Sequence, residues 1–557
     1  MKKTIIFFFL IIAFQAKSQY SRYIIELSNK NGSSFSISNP AAFLSQESIS
    51  RKKRYNIAID SVDLPVNPSY LDSIRKSGKV EILNVSKWLN QVLIKTTDQT
   101  ALSKIAKFPF VKRRYPIAKK SNELTDKSAL GELNEIKATT VESVEANKSA
   151  LSYGSAGPQI MLHEGEYMHD RGLQGQGMKV AVFDAGFYKY QNLSAFDSLR
   201  QKQRIKGTWD FVELNSSVNE DDSHGMWCLS ILAANLPGTY VGSAPQANYY
   251  LFRTEDANSE YPVEEQNWIA AAEKADSLGV DIITSSLGYS EFDDAFFNHT
   301  YADMNGLNTT VSKAAAIAIK KGMIVTNSAG NEGNKKWKYI IAPADVKDVL
   351  SVGAINISKA VAPFSSYGPA SDGRVKPDIT SVGWNTYLIN INGAVSQGNG
   401  TSFSNPNVAG LVACLWQAFP EFTNIEIINA VRQSADHYSK PDDRTGYGIP
   451  NFRIAYTALE QERKRKLVKE ILKTENIKVF PNPISDRISV AYKNENSSKI
   501  EFSLMSMDGR LIKSYQFNLL PNEFNLFTLE QLDTLPQGLY ILNYNNGFKK
   551  GSIRILK

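Results

Sequence analysis

Four short segments of this chain carry residue types that could turn a serine into a nucleophile. A serine hydroxyl attacks a carbonyl only with a base in hydrogen-bond reach, a third group that orients the base, and donors aimed at the developing oxyanion. Val180-Ala181-Val182-Phe183-Asp184-Ala185-Gly186 places a carboxylate at the end of an apolar run, the edge where α/β active sites assemble. Asp222-Ser223-His224-Gly225-Met226-Trp227-Cys228 places a histidine at the start of an apolar helix, with a glycine that leaves room beside the ring. Gly400-Thr401-Ser402-Phe403-Ser404-Asn405-Pro406 opens another apolar helix, so Ser402 sits at the positive end of a helix dipole. Thr326-Asn327-Ser328-Ala329-Gly330-Asn331-Glu332-Gly333 follows an apolar run and offers the Asn331 amide to an oxyanion. Each segment alone has an ordinary alternative: a turn-capping Asp, a helix-start His, a Ser N-cap, a turn Asn. The joint order Asp, His, Asn, Ser, with gaps of 40, 107 and 71 residues, is far more specific than any one of them, and Asp…His…Ser is a known triad order.

The surrounding pattern supplies elements able to hold them. Short apolar runs at 179–184, 247–253, 280–287, 323–329 and 349–355 alternate with helical patterns at 263–278 and 311–321. Near-continuous apolar strands of this kind predict a parallel sheet with helices on both faces, an α/β domain. Upstream, residues 23–116 predict a small α+β unit, with strands at 23–27, 80–83 and 91–95 and helices at 43–54 and 101–107. The basic run Arg51-Lys52-Lys53-Arg54 is expected to be a solvated helix end, since cutting there would split the unit. Residues 119–155 are polar and poor in aromatics, an exposed linker by composition. A long charged helix at 453–472 is expected to be a solvated spacer. From 477 onward, alternating short strands with Gly, Asn and Asp turns predict a small β-sandwich.

Bulk properties narrow the class. A net charge of +7 over 557 residues does not point to nucleic acid. Lys2 and Lys3, the apolar run 4–14 and Ala16-Lys17-Ser18 form a secretory signal cut near Ser18, and no later run is long and uncharged enough to span a membrane. With only Cys228 and Cys414, no disulfide framework is expected; both are taken as buried free thiols. No zinc-ligand spacing occurs. Gly172, Gly175 and Gly177 lack the dinucleotide spacing and are taken as turn glycines. Glu220, Asp221 and Asp222 are either calcium ligands or a solvated loop, so no metal residue is assigned.

Ser223-His224-Gly225, Ala329-Gly330-Asn331-Glu332-Gly333 and Gly400-Thr401-Ser402-x-x-x-Pro406 resemble the signature segments of the subtilisin-like (S8, subtilase) peptidase family, over residues 159–459. The resemblance implies that Ser402 is the nucleophile, His224 the general base and acid, Asp184 the orienting carboxylate, and Asn331 with the Ser402 N–H the oxyanion hole. It implies a substrate-binding edge at Ser286-Leu287-Gly288 and a side-chain pocket lined by Ala329 and Gly330. No cofactor is required for that chemistry, and structural calcium stays open. Ala185, Met226, Trp227 and Phe403-Ser404-Asn405 depart from the family pattern and put pocket shape in doubt. Residues 23–116 resemble the family's inhibitory propeptide, with 63–66 and 86–90 similar to subtilases of Bacteroidota. Val479-Phe480-Pro481-Asn482-Pro483 and Leu535-Pro536-Gln537-Gly538-Leu539-Tyr540 resemble the type A sorting domain of the type IX secretion system. The expected division is signal 1–18, propeptide 19–117, linker 118–155, peptidase 156–460, linker helix 461–475 and sorting domain 476–557. The implied protein is a secreted or surface endopeptidase, monomeric, with protein or peptide substrates, its own propeptide and the secretion machinery as partners. An esterase would instead carry Gly-x-Ser-x-Gly and the order Ser, acid, His; a dead binding module would lack a triad atom.

Overall fold

The apolar runs become buried strands. The computed structural model of the chain describes residues 20–119, 133–134, 151–219, 222–472, 476–484, 487–495, 497–520 and 524–557. The expected signal, Glu220 and Asp221 lie outside them. Two compact units divide between Ala455 and Tyr456. In the first, seven parallel strands lie in the order Ile379–Val382, Leu350–Ile355, Ile324–Ser328, Ile282–Ser285, Lys179–Asp184, Asn248–Arg253, Ile205–Asp210. Four of these are buried at every position, as a sheet covered on both faces requires. Alternate residues Ala181, Phe183, Ile283 and Val325 share a core with the Pro262–Ser277 and Thr310–Lys320 helices. On the other face Asn405, in the Thr401–Ala418 helix, donates to Thr284 Oγ1 at 3.0 Å.

The N-terminal segment forms a four-stranded antiparallel sheet, in the order Glu81–Ser86, Gln91–Lys95, Tyr20–Leu27, Val111–Lys119. One face buries Ile25, Val92 and Ile94 against the Pro68–Arg75 and Gln99–Ile105 helices. The other packs Ile24, Leu93 and Ile117 on Val263 of the Pro262–Ser277 helix. That helix also presents Glu273, which accepts from Ser86 Oγ, Lys87 N and Trp88 N at 2.6, 2.8 and 3.0 Å. Burial raises the Glu273 pKa, Lys87 and these donors opposing it.

Residues 28–67 leave this sheet as a strap and reach the opposite end of the parallel sheet, where its strands begin. Its Gln46–Arg54 helix is capped by Ser45 and ends on four basic residues, a charge order that suits the helix dipole. The expected solvated helix end is corrected here: Arg51 and Lys52 are 4% and 1% exposed, and only Lys53 and Arg54 face solvent. Arg51 donates to Asp276 and to the Val280 carbonyl. Lys52 Nζ donates to Asp276 Oδ1 at 2.8 Å and lies 3.4 Å from Asp63 Oδ1. Lys321 donates to Asp63 Oδ2 at 2.8 Å. Tyr55 stacks on Trp416, centroids 6.0 Å apart, and donates to Pro420 O at 3.0 Å.

Two other expectations are amended. Leu133–Asn134, inside the expected linker, pairs antiparallel with Gly398 and Gln397. The charged helix spans Phe452–Ile471 but is no bare spacer, because Val468 and Leu472 share a buried cluster with Ala491. The second unit holds two antiparallel sheets. One orders Ile477–Phe480, Ile488–Lys493, Phe524–Leu529; the other Leu511–Asn518, Lys499–Ser506, Leu539–Asn545, Lys550–Leu556. Val490, Leu529, Phe502, Leu504, Leu542 and Ile555 from both sheets form one core, the sandwich expected from the alternation. Among the described residues no helix is long and apolar enough to cross a membrane.

Candidate active site

Asp184 ends its strand fully buried, and the His224 ring meets it: Nδ1 lies 2.7 Å from Asp184 Oδ1. Ala185 N–H donates to the same oxygen at 2.8 Å. Asp184 Oδ2 has no hydrogen-bond partner among the described residues, and alanine at 185 brings no hydroxyl to it. The His224–Ala233 helix can press this close because position 225 is glycine. A Cβ there would fall 2.5 Å from Gly186 O and 2.7 Å from Asp184 Cβ. Asp222 Oδ1 accepts the His224 N–H at 2.6 Å, so this residue of the acidic loop holds the helix start.

Ser402 is the second residue of the Thr401–Ala418 helix, whose N-cap is Gly400. Its carbonyl accepts from Ser286 Oγ at 2.9 Å and the Cys228 thiol at 3.4 Å, and its own Oγ lies 3.5 Å from Ser286 O. Asn331 Oδ1 accepts both the Thr401 N–H and Oγ1–H, at 2.9 and 3.0 Å. This fixes which end of the amide is left for other partners. Thr401 was not singled out from sequence, where it reads only as part of the serine segment. Asp184, His224, Asn331 and Ser402 line one cleft of about 650 Å³. Both cysteines are free and buried, and burial pushes the Cys228 thiol up to about 11.

Ser286, Leu287, Gly288 and Gly330 also line the cleft. Ala329 does not: its side chain is buried with Ile340 and Ala370, and its N–H and C=O bond to Val352 and Ile341. Ile341 fills the space between the two glycine walls. A Cβ at Gly288 would lie 2.3 Å from Ile341 Cδ1, and one at Gly330 3.0 Å from it. No sequence signal marks Ile341, because pocket depth arises only when the two segments meet. The bulky departures do not shape the cleft. Met226, Trp227 and Phe403 are buried; the Phe403 ring packs 5.8 Å from the His224 ring and 6.5 Å from Trp227.

Among the described residues two groups of side chains have metal-type donors close together, Asp184/His224/Cys228 and Glu255/Glu260/Glu264. The first is the His–Asp pair with the thiol behind it. In the second, Glu255 accepts from Thr254 and Tyr289 hydroxyls at 2.8 and 2.7 Å, and Glu264 from the Asp256 and Tyr261 N–H groups at 3.1 and 2.8 Å. Burial raises both carboxyls, so they form a hydrogen-bonded wall of the cleft.

Residues 175–448 match the Subtilase family, 22–133 the Peptidase S8 propeptide domain of Bacteroidota, and 478–557 a secretion-system C-terminal sorting domain. Residues 175–448 are a Subtilase-family domain, and the chain is a serine endopeptidase made with a propeptide and a sorting domain that marks it for secretion and the cell surface. It is similar to Minor extracellular protease Epr of Bacillus subtilis, 27% identical over 302 residues, covering 53% of this chain and 41% of the relative. It is also similar to Subtilisin E of Bacillus subtilis, 27% identical over 332 residues, covering 59% and 78%. A thermostable alkaline protease of Halalkalibacterium halodurans is 26% identical over 321 residues, covering 57% and 78%.

Proposed function

We propose that Ser402, His224, Asp184 and Asn331 carry peptide-bond hydrolysis through an acyl-enzyme. Ser402 Oγ attacks the substrate carbonyl and its proton passes to His224 Nε2. Asp184 holds the opposite ring nitrogen in the N–H tautomer and stabilises the imidazolium. The oxyanion sits between the Ser402 N–H and the Asn331 Nδ2 group, which Thr401 orients. Collapse breaks the C–N bond, and the amine leaves with the proton from His224. Water then repeats the sequence on the ester. Side chains and the Ser402 backbone N–H supply every group, so the chemistry calls for no cofactor. The observation that carries this reading is the 2.7 Å buried His224–Asp184 contact at the mouth of the cleft that holds Ser402. In the test, the wild-type chain labels with a fluorophosphonate probe and processes its own propeptide, while Ser402→Ala does neither; a folded wild type that stays unlabelled would sink the reading.

The substrate lies extended along Ser286–Gly288 as an added strand. Ile341 closes the slot between Gly288 and Gly330, so the side chain before the cut bond is small: Gly, Ala or Ser. In a mixed peptide library Ala should outrun Phe at that position by about tenfold or more, and Ile341→Gly should reverse the order. Cleavage that favours Phe in the parent excludes Ile341 as the floor. The proposed division is leader 1–18, propeptide 19–117, connector 118–155, peptidase 156–460, connecting helix 461–475 and sorting domain 476–557.

A further inference from the structure

The strap docks far from the cleft. The 18-residue Thr401–Ala418 helix carries Ser402 at one end and Trp416 near the other, about 20 Å apart at 1.5 Å per residue. The groove beneath the sheet fits the strap in three independent ways. First, the charges alternate across the contact. Asp276 and Lys321 come from the peptidase side, Arg51, Lys52 and Asp63 from the strap, and all five are at most 5% exposed. Each buried carboxylate is flanked by two cations, the arrangement that offsets the desolvation of buried charge. Second, the strap supplies donors to the end of the Pro262–Ser277 helix, whose last carbonyls lack intrahelical partners. Ser45 N–H donates to Ser277 O at 2.9 Å and Arg51 Nη2 to Asp276 O at 3.3 Å. Third, the groove is floored by bare backbone. A Cβ at Gly279 would lie 2.6 Å from Glu47 Cβ, and one at Gly322 2.6 Å from Ile57 Cδ1.

We propose that this basal groove is a binding surface in its own right, that its ligand is residues 45–63 of the propeptide, and that it keeps the propeptide on the enzyme after the cleft has let go. The proposal rests on the peptidase reading for its consequence and on the contacts alone for its existence. The N-terminal sheet's hold on the Pro262–Ser277 helix and the strap's hold on the groove are linked, which turns the second into an intramolecular event, so overall retention exceeds either grip by itself. Opening the cleft end alone therefore leaves the propeptide attached, and full release requires the strap to leave or be cut.

Three measurements test it. In the Ser402→Ala precursor, which does not depend on activity, adding Lys52→Ala should raise hydrogen–deuterium exchange of backbone amides at 277–282 and 320–324 by about tenfold or more; unchanged exchange overturns the proposal. In the active chain, Lys52→Ala and, separately, Asp276→Asn should each shorten the lag before hydrolysis of a small chromogenic peptide by about tenfold. The final rate per fluorophosphonate-titrated site should match the parent. An unaltered lag in both overturns the proposal, whereas a missing final rate in the parent itself sinks the peptidase reading alone. Finally, a synthetic peptide of residues 43–66 added to matured enzyme should bind, by fluorescence anisotropy, without slowing hydrolysis of the small substrate. Absence of binding, or binding that blocks hydrolysis, overturns the remote placement.

Discussion

The parallel sheet buries charge at both ends, and the two ends differ in how that charge is held. At the upper edge one carboxylate, Asp184, faces one imidazole and keeps an oxygen with no hydrogen-bond partner among the described residues. At the lower edge Asp276 is flanked by two cations from the strap, Arg51 and Lys52, and Asp63 by one from each side of the contact, Lys52 and Lys321. In the proposed mechanism the Asp184 carboxylate stays charged while His224 takes up and returns a proton, and a pair of that kind cannot be locked by full neutralisation. A pair that must hold two segments together is best when it is. The same low-dielectric interior thus serves reactivity in one place and adhesion in the other.

The comparison can be broken from either end. The largest expected effect is at the upper edge: His224→Ala should lower kcat by about 10⁴-fold or more while leaving amide exchange at the lower edge unchanged. If that exchange rises as well, the two ends are not independent. Next, Lys321→Ala leaves Asp63 with one cation and should cost the Ser402→Ala precursor about 3–5 kcal/mol in urea unfolding. The same substitution should cost matured enzyme far less, since Asp63 has departed; equal losses would show that Lys321 does not act through the strap. Smaller still, Ala185→Ser brings a hydroxyl to Asp184 Oδ2 and should stabilise the fold by about 1 kcal/mol, read as a shift in Tm. A drop in Tm would show that the oxygen is already satisfied by solvent.

The smallest effect is on pH. Burial holds the docked Glu273 above its ordinary 4.5, so docking favours the protonated carboxyl, and falling pH tightens the contact as it passes that raised value. Asp63 behaves oppositely. Burial alone would raise it, but Lys52 and Lys321 hold it below its ordinary 3.8, so its contribution is present above 3.8 and lost only as pH falls below that. Propeptide release should therefore slow as pH falls toward 4.5, and Glu273→Gln should flatten the profile. Faster release on mild acidification contradicts this assignment.

Sequence made the sheet and the four site segments legible because their determinants are local. Lys179–Asp184 and Ile324–Ser328 are apolar runs that end on polar residues, and His224 and Ser402 each sit next to a glycine or at a helix start. What escaped depends on residues far apart in the chain. Arg51 reads as a solvated helix end until Asp276, 225 residues away, is placed beside it. Ile341 reads as core until Gly288 and Gly330 turn it into a pocket floor. Trp227 and Phe403 put the pocket shape in doubt by their bulk, and only their packing beside His224 shows that they lie outside the cleft lining. Ala329 failed for a related reason, since lying between two cleft residues in sequence placed its methyl group on the opposite side of the strand end.

The stack of Tyr55 on Trp416 has an optical consequence. Trp416 is 2% exposed while the strap is seated, and departure of Tyr55 would open its indole to water. Its emission should then shift to the red as the strap leaves, a signal built into the chain that follows the lower edge in real time while a covalent label occupies Ser402. Occupancy of the two ends of one helix thereby becomes readable in two separate channels within a single sample.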